Sequence, residues 1–516
     1  MCADAARRIR RLGFAGPEPG MRGTRHGRSD RSDSFKMRSP AHAIAEESYI
    51  PALGRAVVYD RAPTRNGDPA TMAQSLTVSN LDRAGIRVVR VQYPDLHGIC
   101  RGKDLPVALF EHYVEEGVQF VEAVMTVDLR HNVIAGFERG FPDFVARADL
   151  STLAALPWEP HVAVCICDLY DAVTGEPSPF DPRGALKRAL VGYAERGLDA
   201  LVAPELEFYL CEPDASSPSG YRPYAGADSP VYTVGYLADP RGVLTRMLDN
   251  AGELGLGTRA AAHEYGRSQY EINLSHTEAL GAADRAFRFK ALVKELAARD
   301  GLLATFMGKP FNGDEGSGLH LHVSLADAER ENACADPDAR DGLSALARHF
   351  VAGVLEHAPG MMAILNPTVN AYRRIHPQAL VPTRVNWGHD HRMALVRVPR
   401  ERGAATRIET RLGDGTANPY LASAVVLAAG LDGIARELEP PDPVEGSVSE
   451  VPELAQGAPL PASLGEAIAA LKADAVLRDA LGAPLVDAFA TIKAAELERF
   501  RTWVTDWEFS EYAPRL

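Results

Sequence analysis

Short runs of alternating apolar and polar residues punctuate this chain, and several carry charge into otherwise apolar text. In VAPELEFYL (201–209), apolar and aromatic residues bracket Glu205 and Glu207. Such a run predicts a strand, in which positions two apart share a face. GIRVVRVQYPD (85–95) alternates in the same way, GIC follows a turn, and PVALFEHYVEEGV reads as a helix. EPHVAVCICDLYD (159–171) is another predicted strand. DPRGALKRALVGYAERGL (181–198) predicts a helix with Asp181 as its N-cap and Gly197 at its end. Farther on, apolar strands alternate with helical stretches such as DRAFRFKALVKELAARDG and LSALARHFVAGVLEHA. Beyond 417 the chain turns Ala/Leu-rich and helical, broken by a Pro-, Gly- and acid-rich stretch at 439–463. The pattern predicts a small α/β unit over about 72–180 and a larger domain over 181–516, without internal repeats.

Two carboxylates on one strand face repel each other and need a cation between them or water around them. A solvated strand end would satisfy that need for Glu205 and Glu207 alone. Four other segments bear on the choice. HEYGRSQYEINLSH (263–276) adds Glu264 and Glu271, and GSGLHLHVSL (316–325) sets His320 and His322 on one strand face behind a glycine-rich turn. TRIETRLGD (406–414) points Arg407, Glu409 and Arg411 the same way. The segment 370–399 supplies Arg373, Arg374, Arg384, Arg392 and Arg397. Singly, each has a plain structural reading: a surface histidine pair, a salt-bridge row, a solvated basic face. Jointly, five carboxylates on strand-like segments require compensating positive charge. Glutamates with one histidine and no thiolate suit Mg²⁺ or Mn²⁺ bridging phosphate oxygens better than structural zinc. Arginines beside such ions are what a transferring phosphoryl group needs, because its charge spreads over several oxygens. No GxxxxGK[ST] loop and no kinase HRD or DFG signature is present, so the common nucleotide folds do not serve as templates.

Composition narrows the setting. The chain is 46% hydrophobic and 24% charged over 516 residues, ample for a sizeable core. No apolar run approaches the ~20 residues that span a bilayer, and the basic N-terminus lacks a signal-peptide core. Six cysteines are sparse and show no ligand spacing; Cys165 and Cys167 read as buried same-face strand thiols, consistent with a reducing cytoplasm. The net charge of −14 is uneven: residues 1–40 carry +6, leaving −20 for the rest. That Arg-, Gly- and Ser-rich start predicts a disordered basic extension over 1–71 with no part in the chemistry. A nucleic-acid arm or transit peptide is disfavoured by the lack of aromatic interleaving and of amphipathic periodicity. Neither nucleic acid nor membrane is an expected partner.

The motifs PELEFYL, HEYGRSQYEINL, GSGLHLHVSL, NAYRRIHP…VP and RIETRLGDGTANPYL resemble, in order and over about 80–516, the motif series of the bacterial class I glutamine synthetase family. The resemblance implies an α+β fold: an N-terminal β-grasp domain, then a glutamine synthetase-type catalytic domain with a curved antiparallel sheet and a helical C-terminus. It implies a dodecamer of two hexameric rings with active sites between neighbouring subunits. Glu207, Glu264 and Glu271 would hold one Mg²⁺ or Mn²⁺, and Glu205, His320 and Glu409 a second. His322 and Ser324 would lie along ATP. Arg392, Arg397 and Arg407 would meet its phosphates, and Arg374, Arg411 and Gly316 would hold L-glutamate. The implied chemistry is phosphorylation of the glutamate γ-carboxylate and attack of a nitrogen nucleophile on the γ-glutamyl phosphate.

The departures matter as much. Ammonia-using members read P-G-Y-E-A-P after the arginine pair; here the stretch is PQALVP, with Leu380 in place of the ammonium-binding glutamate. Leucine cannot attract ammonium, but it offers apolar surface to a carbon chain. Asp95 in YPDLHGICRGK matches the family's other ammonium-side carboxylate. The expectation is an organic primary amine, a small one such as ethanolamine or a monoalkylamine before a polyamine, whose distal ammonium would need Asp314 or Glu315. Glu315 also stands where the family often has an Asn that touches glutamate. An ordinary glutamine synthetase and a non-catalytic structural member are the competing readings; the latter would have lost metal carboxylates, and none is lost. No tyrosine occurs between Tyr420 and Tyr512, so control by tyrosine adenylylation near 449 is not expected.

Overall fold

The alternating segments become two sheets in the computed structural model, which describes residues 76–224, 229–376, 380–445 and 456–516. The expected basic extension over 1–71 and the loop near 449 lie outside the described residues. In the first sheet, Val88–Pro94 pairs antiparallel with Cys100–Pro106 and parallel with Glu159–Asp171. Asp143–Ala148 joins the far half of Glu159–Asp171, and Val118–Val121 closes that edge. The helix Val107–Glu116 connects the two edge strands, Cys100–Pro106 and Val118–Val121.

The second sheet is larger and almost wholly antiparallel. Its strands run in the order Trp387–His389, Val396–Val398, Ile408–Asp414, Gly318–Ala326, Asp199–Pro213, Gln269–Leu274 and Thr258–His263. Only its first pair is parallel. Burial along Asp199–Pro213 alternates as the sequence predicts. Leu206, Phe208 and Leu210 face inward with Ile272, Leu321 and Val323 of the neighbouring strands. They pack on the helix Ala279–Arg299, where Phe208 meets Phe289 at 6.2 Å between ring centroids. Burying each large apolar side chain contributes about 1.5–3 kcal/mol, so this face orients the opposite, charged one. The fold is α+β, as expected.

Helix ends follow local chemistry. The helix Pro182–Ala194 starts where the Asp181 carboxylate accepts the Arg183 amide. It stops three residues before Gly197, which takes a left-handed φ of +67° in the exit turn. Behind the large sheet, Ala345–Leu365 and Pro419–Ala435 cross with Gly353 and Gly433 in contact; a Cβ on Gly353 would lie 2.1 Å from the Ala429 carbonyl oxygen. The C-terminal helices Leu464–Ala473, Ala475–Leu481, Ala483–Arg501 and Asp506–Tyr512 follow. Among the described residues no helix is long and apolar enough to cross a membrane.

Two ionic knots hold these layers. The buried Arg183 guanidinium bonds Asp149 at 2.8 Å, Asp168 at 2.6 Å and Asp284 at 2.9 Å, joining the first sheet to the helix under the second. Buried His357 is clamped between Asp474 at 2.7 Å and Asp432 at 3.0 Å. Burial works to lower the imidazole pKa, but hydrogen bonds to the two carboxylates overcome it and raise it above the ordinary value of 6.5. Stability from this clamp is therefore fully present below pH about 6.5 and fades as pH rises through the raised folded value. His357→Ala is expected to cost about 2–3 kcal/mol at pH 6 and clearly less at pH 9, read from denaturant unfolding at both pH values. An equal loss at both would exclude a charged clamp.

Candidate active site

One face of the large sheet gathers the charge. Asp199–Pro213 presents Glu205 and Glu207 two positions apart. Register sets Glu271 opposite Glu207 and His320 opposite Glu205. His322 is paired with Glu409, and Glu409 in turn with Arg397. Five strands therefore deliver their polar residues to one basin, and the shared face follows from period-two geometry alone. Between Leu319 and Leu321 the register slips, so that His320 faces two residues of the Glu409 strand instead of one.

Ligand atoms of Glu205, His320 and Glu409 lie within 4.8 Å of one another, as do those of Glu207, Glu271 and His320. The two groups share His320, which makes one continuous basin. The resemblance put Glu264 with Glu207 and Glu271; in the structure His320 occupies that third place, and Glu264 stands close enough to interact with Glu207 and Glu271 by charge. His320 Nδ1 is 3.3 Å from Glu205 and 3.7 Å from Glu409. His322 Nε2 is 2.9 Å from Glu205, yet too poorly aligned for a hydrogen bond, and both of its ring nitrogens are buried without one.

The basin divides into a compensated and an uncompensated half. Burial works to raise Glu205, and the hydrogen bond with His320 together with the adjoining His322 imidazole holds it well below the usual carboxylate range instead. Glu409, fully buried, is likewise opposed by burial but brought down to about 2, chiefly by the Arg411 charge. Its oxygens take Arg411 Nη1 and, at 2.6 Å, Arg397 Nη1. On the other side burial and the Glu207 charge push Glu264 up to about 7. Burial and the charges of Glu205, Glu207 and Glu264 push Glu271 up to about 8. Carboxyls that hold protons at neutral pH for want of a counter-charge, beside a histidine with unpartnered ring nitrogens, fit hard divalent cations bound through oxygen. Cation uptake is thus expected to release protons from Glu264 and Glu271 at pH 7, and to tighten as pH rises toward 8. Titrating Mn²⁺ in two buffers of different protonation enthalpy measures this; the absence of a buffer-dependent heat would contradict it.

Around the basin the structure assigns each expected residue a place. Arg374 is buried beside Gly316, donates to the Leu412 and Gly413 carbonyls, and leaves its Nε unpartnered. A Cβ on Gly316 would sit 2.3 Å from Arg374 Cγ, so only glycine permits this approach. Arg397 is also held by Asp390 at 2.6 Å. Arg407 pairs with Glu401 at 3.2 Å, and Arg392 is exposed, its carbonyl accepting from Arg411. Ser324 lies half-buried two residues beyond His322. Leu380 is 55% exposed. Asp314 is buried and gripped by Arg267 at 2.9 and 3.0 Å, while Glu315 is exposed.

Asp95 is not brought to this basin within the chain. Its buried carboxylate sits in the turn before Cys100–Pro106, taking the His97 and Ile99 amides and Arg101, each at 2.9 Å. Sequence reasoning missed Gln269 and Asn273. Gln269 bridges Glu207 at 2.8 Å and the Gly316 carbonyl at 3.0 Å, and Asn273 bonds Glu271 at 2.9 Å. Both share the Glu271 face at steps of two, so the same periodicity points to them.

Comparison with known proteins agrees with this geometry. Residues 179–512 match the family model described as the glutamine synthetase catalytic domain. The glutamine synthetase of Methanococcus maripaludis is 39% identical over 444 residues, covering 83% of this chain and 96% of that protein. That of Thermus thermophilus is 37% identical over 440 residues, covering 83% and 96%. Among solved structures, GmaS (gamma-glutamylmethylamide synthetase) in an ADP complex is similar at TM-score 0.76 and 32% identity, covering 85% of this chain and all of that one. GmaS without ligand is similar at 0.75 and 33%, covering 85% and 99%. A sheet face that collects five glutamates, two histidines and their arginines, matched over this length, has one reading: the chain belongs to the glutamine synthetase family of ATP-dependent ligases.

Proposed function

We propose that this ligase joins the γ-carboxylate of L-glutamate to a small organic primary amine. A γ-carboxylate oxygen takes the terminal phosphoryl group of ATP and ADP departs. The amine nitrogen then attacks the carbonyl carbon of the γ-glutamyl phosphate, and phosphate leaves. Phosphorylation supplies the electrophile and the leaving group that a free carboxylate lacks. Glu205, His320 and Glu409, with Glu207, Glu264 and Glu271, would hold two Mg²⁺ or Mn²⁺, whose charge would offset that of the phosphates. Arg392, Arg397 and Arg407 meet the phosphates, His322 and Ser324 lie along the nucleotide, and Arg374, Arg411 and Gly316 hold the glutamate. Residues 72–180 serve as the β-grasp domain and 181–516 as the catalytic domain. In a cytoplasmic dodecamer, a neighbour's Asp95 turn would complete each site and take the amine proton.

Leu380 carries the choice of amine. It stands, more than half exposed, where ammonia-using members hold a glutamate. The likeness to GmaS supports the same reading. Asp314, already gripped by Arg267, has little to offer a polyamine's distal ammonium. Ammonia is the second reading, because the curated relatives compared above are glutamine synthetases. Phosphate release from ATP and glutamate with ammonium, methylamine, ethanolamine, putrescine, spermidine and aniline separates the two. Saturation by methylamine or ethanolamine at lower concentration than ammonium is expected; saturation at low-millimolar ammonium with no gain from any amine would overturn the proposal.

A further inference from the structure

Behind the Asp95 turn lies a cavity of about 620 Å³ that shares no residue with the carboxylate basin. It is bounded by that turn, the helix Ala279–Arg299, residues 302–307 and the helix Ala483–Arg501. Three lysines reach it, Lys290, Lys294 and Lys493, and no aspartate or glutamate lines it. Lys290 and Lys294 are four residues apart on one helix face, a like-charge spacing that by itself destabilises a helix. Both approach the same ring, Phe306, at 5.3 and 6.0 Å. Lys290 donates to the Gly415 and Ala417 carbonyls, each at 2.9 Å, and Lys493 pairs with Glu496 at 3.1 Å. Lys294, at the mouth, has no hydrogen bond or ion pair among the described residues.

Lysines gathered on a cavity wall that no carboxylate lines are what an anion site looks like before its ligand arrives. Burial and the Lys294 charge push Lys290 down to about 7, against the opposing charge of Asp414. The remaining walls are apolar, with Ile99, Phe287 and Phe489 among them. A compact inorganic ion would use the lysines and waste those walls. We propose that this cavity binds a small organic carboxylate, its charged end on Lys294 and Lys290 and its carbon chain against Ile99, Phe287 and Phe489. The inference stands apart from the proposed reaction, because its readout is binding and not turnover.

Hexanoate titrated into the full chain by calorimetry tests it, with inorganic phosphate as the compact anion and excess L-glutamate as competitor. One saturable hexanoate site per chain is expected, not displaced by glutamate and tighter than phosphate. Binding should weaken at least about tenfold in Lys294→Gln and disappear in Lys294→Glu, with unfolding midpoints unchanged at this exposed position. No saturable uptake, displacement by glutamate, phosphate binding as tightly as hexanoate, or wild-type affinity in both variants would each overturn the assignment.

Discussion

Glu409→Ala is expected to abolish ATP turnover, by about 10³-fold or more, and to lower stability at the same time. Both losses have one origin. Fully buried Glu409 answers Arg411, Arg397 and the His320 ring at once. Removing its carboxylate leaves buried cations without a counter-charge, which costs about 3–5 kcal/mol. It also removes an oxygen ligand from the group formed with Glu205 and His320. Glu409→Gln separates the effects in part: the amide keeps the volume and one of the two acceptor oxygens but not the charge, so only a fraction of the stability should return while turnover stays low. The pair is measured by phosphate release and by chemical denaturation. Turnover at the wild-type rate in Glu409→Ala would mean that this sheet face is structural.

The second large effect concerns the acceptor. Leu380→Glu is expected to move the preference toward ammonium over methylamine by tenfold or more in kcat/KM, a change of about 1.4 kcal/mol or more in transition-state free energy. A carboxylate there would attract the small cation and surround an alkyl group with polar surface. Because Leu380 is more than half exposed, the substitution leaves no buried charge and should not disturb folding. An unchanged preference would remove Leu380 from the account of specificity and leave the family assignment intact.

Much of the site was legible because period-two alternation is a geometric property of strands. Glu205 with Glu207, and His320 with His322, were assignable to shared faces from the text alone, and the register bears this out. The strand at 159–171 and the Asp181 cap were legible for similarly local reasons. Long-range pairing was not. That Arg183 would gather Asp149, Asp168 and Asp284, or His357 be clamped by residues 75 and 117 positions away, has no local signature. Nor did sequence reveal that Asp314 is already engaged by Arg267, or that Asp95 spends its oxygens on its own turn. Glu264 looked equivalent to Glu271, but it lies at the end of a hairpin and not within a strand, so its carboxylate joins the cluster by charge more than by contact.

The proposed reaction requires that the glutamate γ-carboxylate itself attack ATP. Glutamate carrying ¹⁸O in its γ-carboxylate, turned over with unlabelled ATP and methylamine or ammonium, decides this by mass spectrometry of the released phosphate. One ¹⁸O atom in phosphate for each amide formed is the predicted result, whichever nitrogen donor is used. Amide formation accompanied by unlabelled phosphate would contradict it.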